Sequence, residues 1–168
     1  MKRLCALLLA LCMLLPLTAF AVDQYTLTVV PSYAGKVYPL GNSGFSITIP
    51  EDMSAYDLTG FPDSFYAMLT NAQGNMRLQV IRDDTPLEQM ANEIIQGVEN
   101  GQAQEAFFAT INNTPFLLTT DTTGCQLAAI FPENNTQTIV FMFSVPEASV
   151  FANNTIPYEI LSTLAYIN

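Results

Sequence analysis

Apolar and polar residues alternate along much of this chain, and the alternation predicts β-strands. The clearest case is the stretch at residues 44–52. Three apolar side chains alternate there with two hydroxyl side chains: Phe45, Ile47 and Ile49 against Ser46 and Thr48. A period of two places successive side chains on opposite faces of an extended segment. We therefore predict a strand that ends at Pro50.

The same alternation predicts further strands along the chain. They lie at residues 24–30, 37–40, 65–70, 76–82, 103–111, 115–121, 125–131 and 136–145. Pro39 favours the edge of a sheet, because proline cannot donate a backbone hydrogen bond. The five-residue loop 71–75 predicts a hairpin, and the short connector Asn112-Asn113 suits another, because Asn tolerates positive φ. The last four strands should form an antiparallel meander.

One segment has helical periodicity instead. Thr85, Pro86 and Glu88 have the pattern of a capping box with Pro at the first helical position. Apolar side chains then recur every three or four residues, which predicts one apolar helix face. They are Leu87, Met90, Ala91, Ile94, Ile95 and Val98. Asn100-Gly101 predicts the end of this helix.

The predicted strands 125–131 and 136–145 are apolar on both faces, so both faces of the sheet need a cover. The first helix would cover one face. A second helix, predicted at residues 156–167 with Thr155 as its cap, would cover the other. Removal of residues 161–167 should then expose the sheet and cause aggregation. The predicted fold class is α+β, with a largely antiparallel sheet and helices on both faces in an α/β/α sandwich.

The N-terminus has the three parts of a secretory signal peptide. A basic start at residues 1–3 precedes an apolar run at residues 4–17 and the site Ala19-Phe20-Ala21. We expect cleavage after Ala21 and export to the cell envelope or beyond. Two alternatives stay open. Residues 4–22 are about the minimum length of a membrane anchor, and Cys12 follows Leu9-Ala10-Leu11, which is similar to a bacterial lipobox with Leu before the cysteine.

After the predicted cleavage the chain would consist of residues 22–168. We expect residues 22–43 to form an N-terminal strand and edge segment and residues 44–168 a single domain. Only three cations, Lys36, Arg77 and Arg82, then balance fifteen acids. Such a surface repels nucleic acid and anionic lipids, so we expect a cationic, neutral or apolar partner.

The remaining thiol is Cys125, because the other two cysteines lie in the leader. A single cysteine cannot form an internal disulfide. It begins a predicted apolar strand, and we expect a small buried side chain. A reactive thiol is the alternative, although no basic residue lies near it in sequence to lower its pKa.

The order of these elements is similar to that of the PsbP-like superfamily. The resemblance rests on the strand Gly44-Phe45-Ser46-Ile47-Thr48-Ile49-Pro50-Glu51-Asp52-Met53, the hairpin, the capped helix, and the turn Ile111-Asn112-Asn113-Thr114-Pro115-Phe116. It covers residues 44–167. Related turns often carry Gly where this chain has Asn113. The resemblance implies an α/β/α sandwich that binds other proteins or supports assemblies, as extrinsic photosystem II subunits and small exported bacterial proteins do, without a shared catalytic constellation.

Candidate catalytic groups are few. The chain has no His, which removes Ser-His-Asp and Cys-His arrangements. Two acidic doublets remain, Glu51-Asp52 and Asp83-Asp84, and carboxylates held about 5 to 9.5 Å apart can hydrolyse glycosides. Asp83-Asp84 also precedes a helix, where acids favour the helix dipole. We predict no catalytic, cofactor-binding or metal-ligating residues and expect no enzyme, with a secreted carboxylate-dependent hydrolase as the alternative.

Calcium is a second alternative, because hard cations prefer oxygen ligands. Five aspartates fall near predicted loops or strand ends: Asp57, Asp63, Asp83, Asp84 and Asp121. No stretch has the spacing of an EF-hand loop. A calcium-binding exported domain therefore stays open as an alternative, and we predict no cofactor.

Asn-Asn-Thr occurs three times and has two interpretations. Asn112, Asn134 and Asn153 would be glycosylation acceptors in a eukaryote. All three also fall where the pattern needs turns or caps, which is the structural interpretation that we favour.

Aromatic residues suggest where a partner would bind. Tyr56, Phe61 and Tyr66 surround the predicted hairpin, and together on the surface they would form a protein-binding patch. The leading hypothesis is an exported, non-catalytic binding or assembly domain that engages another protein at the cell surface or in the envelope.

Overall fold

The computed structural model describes residues 24–152 and 154–167. The strands are β1 (Gln24–Leu27), β2 (Gly35–Pro39), β3 (Phe45–Pro50), β4 (Ser54–Ala55), β5 (Phe65–Thr70), β6 (Arg77–Asp83), β7 (Ala103–Ile111), β8 (Thr114–Asp121), β9 (Gln126–Pro132), β10 (Thr138–Ser144) and β11 (Ala165–Tyr166). The helices are α1 (Leu87–Glu99), α2 (Ala148–Ala152) and α3 (Ile156–Leu161). The α+β fold with helices on both faces is confirmed.

The strands form two sheets rather than one. The larger has the order β1-β7-β8-β9-β10-β6-β5-β4, in which only the β1–β7 pair is parallel among the described pairs. The predicted hairpin β5–β6 and the meander β7 to β10 are confirmed. The smaller sheet, β11-β3-β2, was not predicted, and β2 is its edge as Pro39 indicated.

The turn between β7 and β8 shows how local sequence determines the register. Asn112 and Asn113 have φ angles of 46° and 69°. Two positive φ angles in a two-residue connection suit the right-handed twist of the paired strands. The prediction of a tight hairpin at these residues is therefore confirmed.

One face of the large sheet carries the larger buried cluster, and we term it the covered face. Phe116, Phe141 and Phe143 of the sheet are fully buried there. The small sheet and α3 lie over them and contribute the buried side chains Ile47, Ile49, Ile160 and Leu161. This layer closes the core because every one of these side chains is at most 1% exposed.

The opposite face, which we term the open face, is covered in part by α1. The helix lies mainly over β7 and β9. Leu87, Met90 and Ile94 pack on Leu117 and neighbouring buried side chains. Within α1 only Ala91 is fully buried, so the predicted apolar stripe packs less deeply than its pattern indicates. The predicted helix on this face is present, but the edge of the sheet at β4 and β5 lies outside the cluster that it buries.

The start of the first helix and the end of the C-terminal helix differ from expectation, whereas the first helix ends before Asn100 and the C-terminal helix begins after Thr155 as predicted. Helix α1 begins after Pro86, which has no side-chain cap hydrogen bond, and the Thr85 N–H donates instead to Asp83 Oδ1 at 2.9 Å. The C-terminal helix was predicted to reach residue 167, but it ends at Leu161. The Ser162 and Thr163 hydroxyls donate to carbonyl oxygens of the last helical turn, which competes with continuation of the helix.

After this turn the chain becomes strand β11, and its Tyr166 pairs with Phe45.

The predicted signal peptide lies outside the described residues, so it stays a prediction. The described N-terminal segment supplies β1 to the large sheet and β2 to the small one. Among the residues that the structure describes, no helix has the length and apolarity to cross a bilayer.

Candidate functional site

The β4–β6 corner of the open face carries apolar side chains that no described helix covers. We define the edge patch as Tyr56, Phe61, Phe65, Met68 and Met142. Tyr56 and Phe61 are 47% and 45% exposed, and the other three are half-buried. Among the residues described, the half-buried side chains Phe65, Met68 and Met142 are not packed against the buried residues of either core cluster. Contiguous exposed apolar side chains are a feature of interaction surfaces, so the edge patch is the candidate site.

Strand register places the edge patch on the same face as α1. Val140 is buried under α1, and Met142 lies two residues further along β10, so both point to one face. Met142 pairs with Gln79 of β6, which pairs with Met68 of β5. The Tyr56 N–H then donates to the Met68 carbonyl oxygen at 2.8 Å, next to β4. These four neighbouring strands therefore form one continuous surface.

The aromatic end of the edge patch is built by the loop before β5. Phe65 pairs with Ile81, whose side chain packs in the cluster under α1. The Phe61 ring lies 5.3 Å from the Phe65 ring, centroid to centroid. Gly60 turns the chain with a φ of 87°, and the Phe61 N–H donates to the Leu58 carbonyl oxygen at 2.9 Å. This turn holds Phe61 over the outer strands.

Tyr66 does not belong to this surface, contrary to the sequence prediction. It is 5% exposed, while Tyr56 and Phe61 are exposed as expected. The register shifts between Phe65 and Ala67, so Tyr66 lies in a β-bulge and the simple alternation of faces fails there. Its ring lies against the backbone at Gly41, where a Cβ would approach the ring to 2.7 Å.

A polar cluster surrounds Tyr66. Burial raises the pKa of Tyr66, and the negative charge of Glu133 raises it further. Burial also raises the pKa of Glu133, and the positive charge of Arg82 opposes that rise. Arg82 Nε lies 3.5 Å from Asp84 Oδ1. Arg82 Nε and Glu133 Oε2 are buried and have no hydrogen-bond partner among the residues described. This cluster was missed from sequence because its members come from three separate segments.

A buried carboxylate fastens the N-terminal segment to α3. Glu159 is 4% exposed and accepts hydrogen bonds from the Ser32 N–H at 2.7 Å, the Ser32 hydroxyl at 2.9 Å and the Thr155 hydroxyl at 2.6 Å. Burial acts to raise the pKa of Glu159, but these hydrogen bonds outweigh burial and lower it. Burial, followed by the charge of Glu159, raises the pKa of Tyr33 to about 12. The carboxylate therefore has a structural role.

The five aspartates considered as calcium ligands are not brought together. Three of them bind their own turns: Asp57 accepts from Thr59, Asp83 from Thr85, and Asp121 from Thr123 and Gln126. Asp84 accepts from Gln137 Nε2 at 2.7 Å. Across residues 24–152 and 154–167, no group of three or more His, Cys, Asp or Glu side chains is arranged to hold a metal ion.

The two acidic doublets lie at opposite ends of the large sheet. Glu51-Asp52 precedes β4, whose Ser54 pairs with Thr70, which in turn pairs with Arg77 at the start of β6. Asp83 is at the other end of β6. Six residue steps along a strand span about 20 Å. Carboxylates from the two doublets are therefore too far apart to act on one glycosidic bond.

The cysteine and the Asn-Asn-Thr sites were also singled out from the sequence. Cys125 is half-buried and precedes β9, so the expectation of a buried strand residue is wrong. Its N–H donates to the Thr123 hydroxyl at 3.3 Å. Asn134 Oδ1 accepts from the Thr136 N–H at 2.9 Å, which is turn chemistry as favoured. Asn153 lies outside the described residues.

Asn112 has a more specific role than turn formation. Its side-chain Nδ2 donates to the Val29 carbonyl oxygen at 2.6 Å, and its Oδ1 accepts from the Val29 N–H at 2.9 Å. Nδ2 is also the atom to which a glycan would be attached. The side chain therefore fastens the segment after β1 to the hairpin turn, and glycosylation at Asn112 stays untested.

Comparison with known proteins identifies the fold. No protein-family model matches the chain, and no curated protein matches it by sequence. The solution structure of cyanobacterial PsbP (CyanoP) from Synechocystis sp. PCC 6803 superposes with a TM-score of 0.57 at 12% identity, over 82% of this chain and 95% of that one. The fold is PsbP-like. The resemblance drawn from the strand, hairpin and helix order is thereby confirmed.

A second solved structure shows a weaker likeness. A crystal structure from Bacteroides thetaiotaomicron VPI-5482 superposes with a TM-score of 0.48 at 12% identity, over 80% of this chain and 49% of that one. The likeness to the cyanobacterial PsbP structure, at 12% identity, shows the fold alone, and a fold does not specify an activity. The function of this PsbP-like chain must therefore be argued from its own surface.

Proposed function

We propose that this protein is an exported, non-catalytic domain that binds another protein, at the cell surface or in the envelope, through the edge patch. The single observation that supports the proposal is the uncovered corner of the open face. The apolar face of a sheet is normally buried against another layer of secondary structure. Here α1 supplies that layer over β7 and β9 and its cluster reaches Ile81 of β6, but the edge patch lies outside it.

The composition of the edge patch also favours a protein partner. Tyr, Phe and Met are enriched at protein interfaces, and aromatic anchors contribute most of the binding energy. The patch holds one Tyr, two Phe and two Met. Its rings are preordered, because Phe61 and Phe65 already contact each other. A preordered ring loses less conformational entropy when it binds.

Export is the second part of the proposal, and it rests on the predicted signal peptide with cleavage after Ala21. The strongly acidic chain, with a sequence pI of about 4.1, suits a partner that is cationic, neutral or apolar. Nucleic acid and anionic membranes would be repelled. These features support an assembly role in the envelope.

Site-specific photo-crosslinking in the native host tests the proposal. A photoreactive phenylalanine analogue replaces Tyr56 in one variant and Tyr166 in a matched control. Tyr166 is 67% exposed but belongs to the small sheet. We expect a discrete adduct with an envelope protein from position 56, reduced at least about tenfold by Phe61→Asp, and a much weaker signal from position 166. Equal labelling at both positions, or no adduct at position 56, would contradict the proposal.

A further inference from the structure

We infer that the edge patch binds one amphipathic helix of its partner. The bound helix lies on the sheet next to α1 and carries Lys or Arg beside its apolar stripe. This inference rests on the proposed function and specifies the kind of segment that is bound. Three features support a helix with basic flanks: the width of the uncovered surface, the irregular strand edge beside it and the negative charge around it.

The size of the edge patch fits one helix. It runs from Met142 of β10 to Tyr56 just after β4, with Gln79 of β6 between Met142 and Met68. Three gaps between adjacent strands amount to about 14 Å. Along the strands, Phe65 to Met68 covers about 10 Å. A helix with its side chains is about 10–12 Å across, so one helix fills the uncovered width and a second does not fit.

Addition of a partner strand is disfavoured by the edge itself. Ser54 and Ala55 of β4 already pair with the end of β5, and Tyr56 bonds to Met68. The rest of the β5 edge contains the bulge at Tyr66, and the Phe65 N–H already donates to the Pro62 carbonyl oxygen at 2.9 Å. Strand addition needs a regular row of unpaired backbone groups. The two-residue outer strand β4 and the irregular β5 edge therefore favour a partner that binds on the sheet face.

The charge on both sides of the edge patch is negative. Residues 51–64 contain four acids and no Lys or Arg: Glu51, Asp52, Asp57 and Asp63, all exposed. Hydrogen bonds from the Thr59 side chain and backbone lower the pKa of Asp57, which keeps it ionised. Helix α1 has three glutamates and no cation in its sequence LEQMANEIIQGVE. Lys or Arg beside the bound stripe would face acids on either side.

Three cations lie near this part of the sheet among the residues described. Lys36 Nζ donates to the carbonyl oxygens of Glu51 and Met53 at 3.3 and 2.8 Å, and Arg82 of β6 lies in the polar cluster at Tyr66. Arg77 is also on β6. It pairs with Thr70 at the end of β6 opposite to the aromatic rings. The charge complementarity is thus strongest at the Tyr56 and Phe61 end. An acidic partner would be repelled there, so the sign of the flanking residues should determine binding specificity more than total affinity.

The footprint also predicts the strength of binding. A stable complex buries about 800 Å² on each partner, and one short helix on this corner covers less. We therefore expect dissociation constants in the micromolar range or weaker for an isolated helix. Tighter binding would need a further contact outside the edge patch.

Synthetic peptides test the inference by NMR titration of isotope-labelled protein, purified after expression of the whole chain. Three peptides of about 14 residues are compared. The first has a Leu/Phe stripe flanked by Lys, and the second has the same stripe flanked by Glu. The third has the residues of the first in scrambled order, without a stripe. We expect the Lys-flanked stripe to shift the amides of Tyr56, Phe61 and Met68. Its affinity should exceed that of each other peptide at least about tenfold and weaken with salt.

The variant Tyr56→Ser with Phe61→Ser should abolish these shifts, and Val37→Ser, at an exposed apolar residue of the small sheet, should not. Equal binding of the Lys- and Glu-flanked stripes, or shifts confined to the small sheet, would overturn the inference. An adduct from position 56 without any peptide shift would also overturn it, and the proposed function would stand. If position 56 gives no adduct either, both fail.

Discussion

The two faces of the large sheet differ in how much of the chain lies over them. On the covered face, a three-stranded sheet and α3 bury Phe116, Phe141 and Phe143 completely. On the open face, α1 buries a smaller cluster that includes Leu117 and Ile130, and the edge patch lies outside it. Both faces are apolar in sequence. The pattern of a strand therefore shows that a face prefers burial, but not whether the same chain supplies the cover.

The two covers also differ in how they are fastened. The layer on the covered face is held by polar groups that are far apart in sequence, such as Ser32 with Glu159 and Thr48 with Thr163. Helix α1 begins without a side-chain cap and is held mainly by the partial burial of its stripe. We therefore expect the covered face to contribute most of the free energy of unfolding, and the open face to tolerate change.

The largest expected difference comes from one substitution made on each cover. Ile160→Ala in α3 removes a fully buried side chain, whereas Ile94→Ala in α1 removes a half-buried one. A cavity in a closed core costs about 3–5 kcal/mol, and partial burial about 1–2 kcal/mol. Urea denaturation of the two variants measures both losses. Equal losses would contradict the distinction between the two faces.

The next prediction concerns the buried carboxylate that holds the covered face together. Glu159→Gln keeps the shape of the side chain but removes the charge that accepts three hydrogen bonds. Hydrogen bonds to a charged group contribute about 1.5–3 kcal/mol, so we expect a loss of about 1–3 kcal/mol at pH 7. The matched control Glu51→Gln changes an exposed acid and should change stability by less than about 0.5 kcal/mol.

The pH dependence of this loss follows from the direction of the pKa shift. The pKa of Glu159 is lower in the folded protein than the ordinary value of 4.5 for a glutamate. Its stabilising effect is therefore complete above the unfolded pKa and disappears as the pH falls through the folded pKa. The difference between wild type and Glu159→Gln should shrink below about pH 4.5. A difference that stays constant from pH 7 to pH 3 would contradict this assignment.

Local features of the fold could be predicted from the sequence, because the residues that determine them are neighbours. The turn at Asn112-Asn113 and strands β7 to β10 depend on adjacent residues and were predicted closely. The Ser32–Glu159 contact spans 127 positions, and no local pattern indicates it. Strand β11 likewise depends on pairing with β3, so a helix was predicted where the small sheet forms.

The candidate site could be predicted only in part for the same reason. Tyr56 and Phe61 were identified because they are aromatic residues beside the predicted hairpin. Tyr66 was assigned to the wrong side, because the bulge between Phe65 and Ala67 cannot be read from alternation. Met68 and Met142 were missed as surface residues. Both faces of β10 are apolar in sequence, but the path of α1 across the sheet determines which part of the open face stays uncovered.

The smallest expected effect lies at the start of α1 and sharpens the contrast between the two covers. Thr85→Ala should change stability by less than about 0.5 kcal/mol, because the N-cap position of α1 is Pro86 and no side-chain hydrogen bond caps it. Asp83→Ala should cost about 1 kcal/mol, because Asp83 Oδ1 accepts from the Thr85 N–H at 2.9 Å. Urea denaturation of both variants compares them directly. A loss of 1 kcal/mol or more for Thr85→Ala, with Asp83→Ala neutral, would show that the capping box predicted from sequence forms in solution, and that α1 is fastened more firmly than its partial burial indicates.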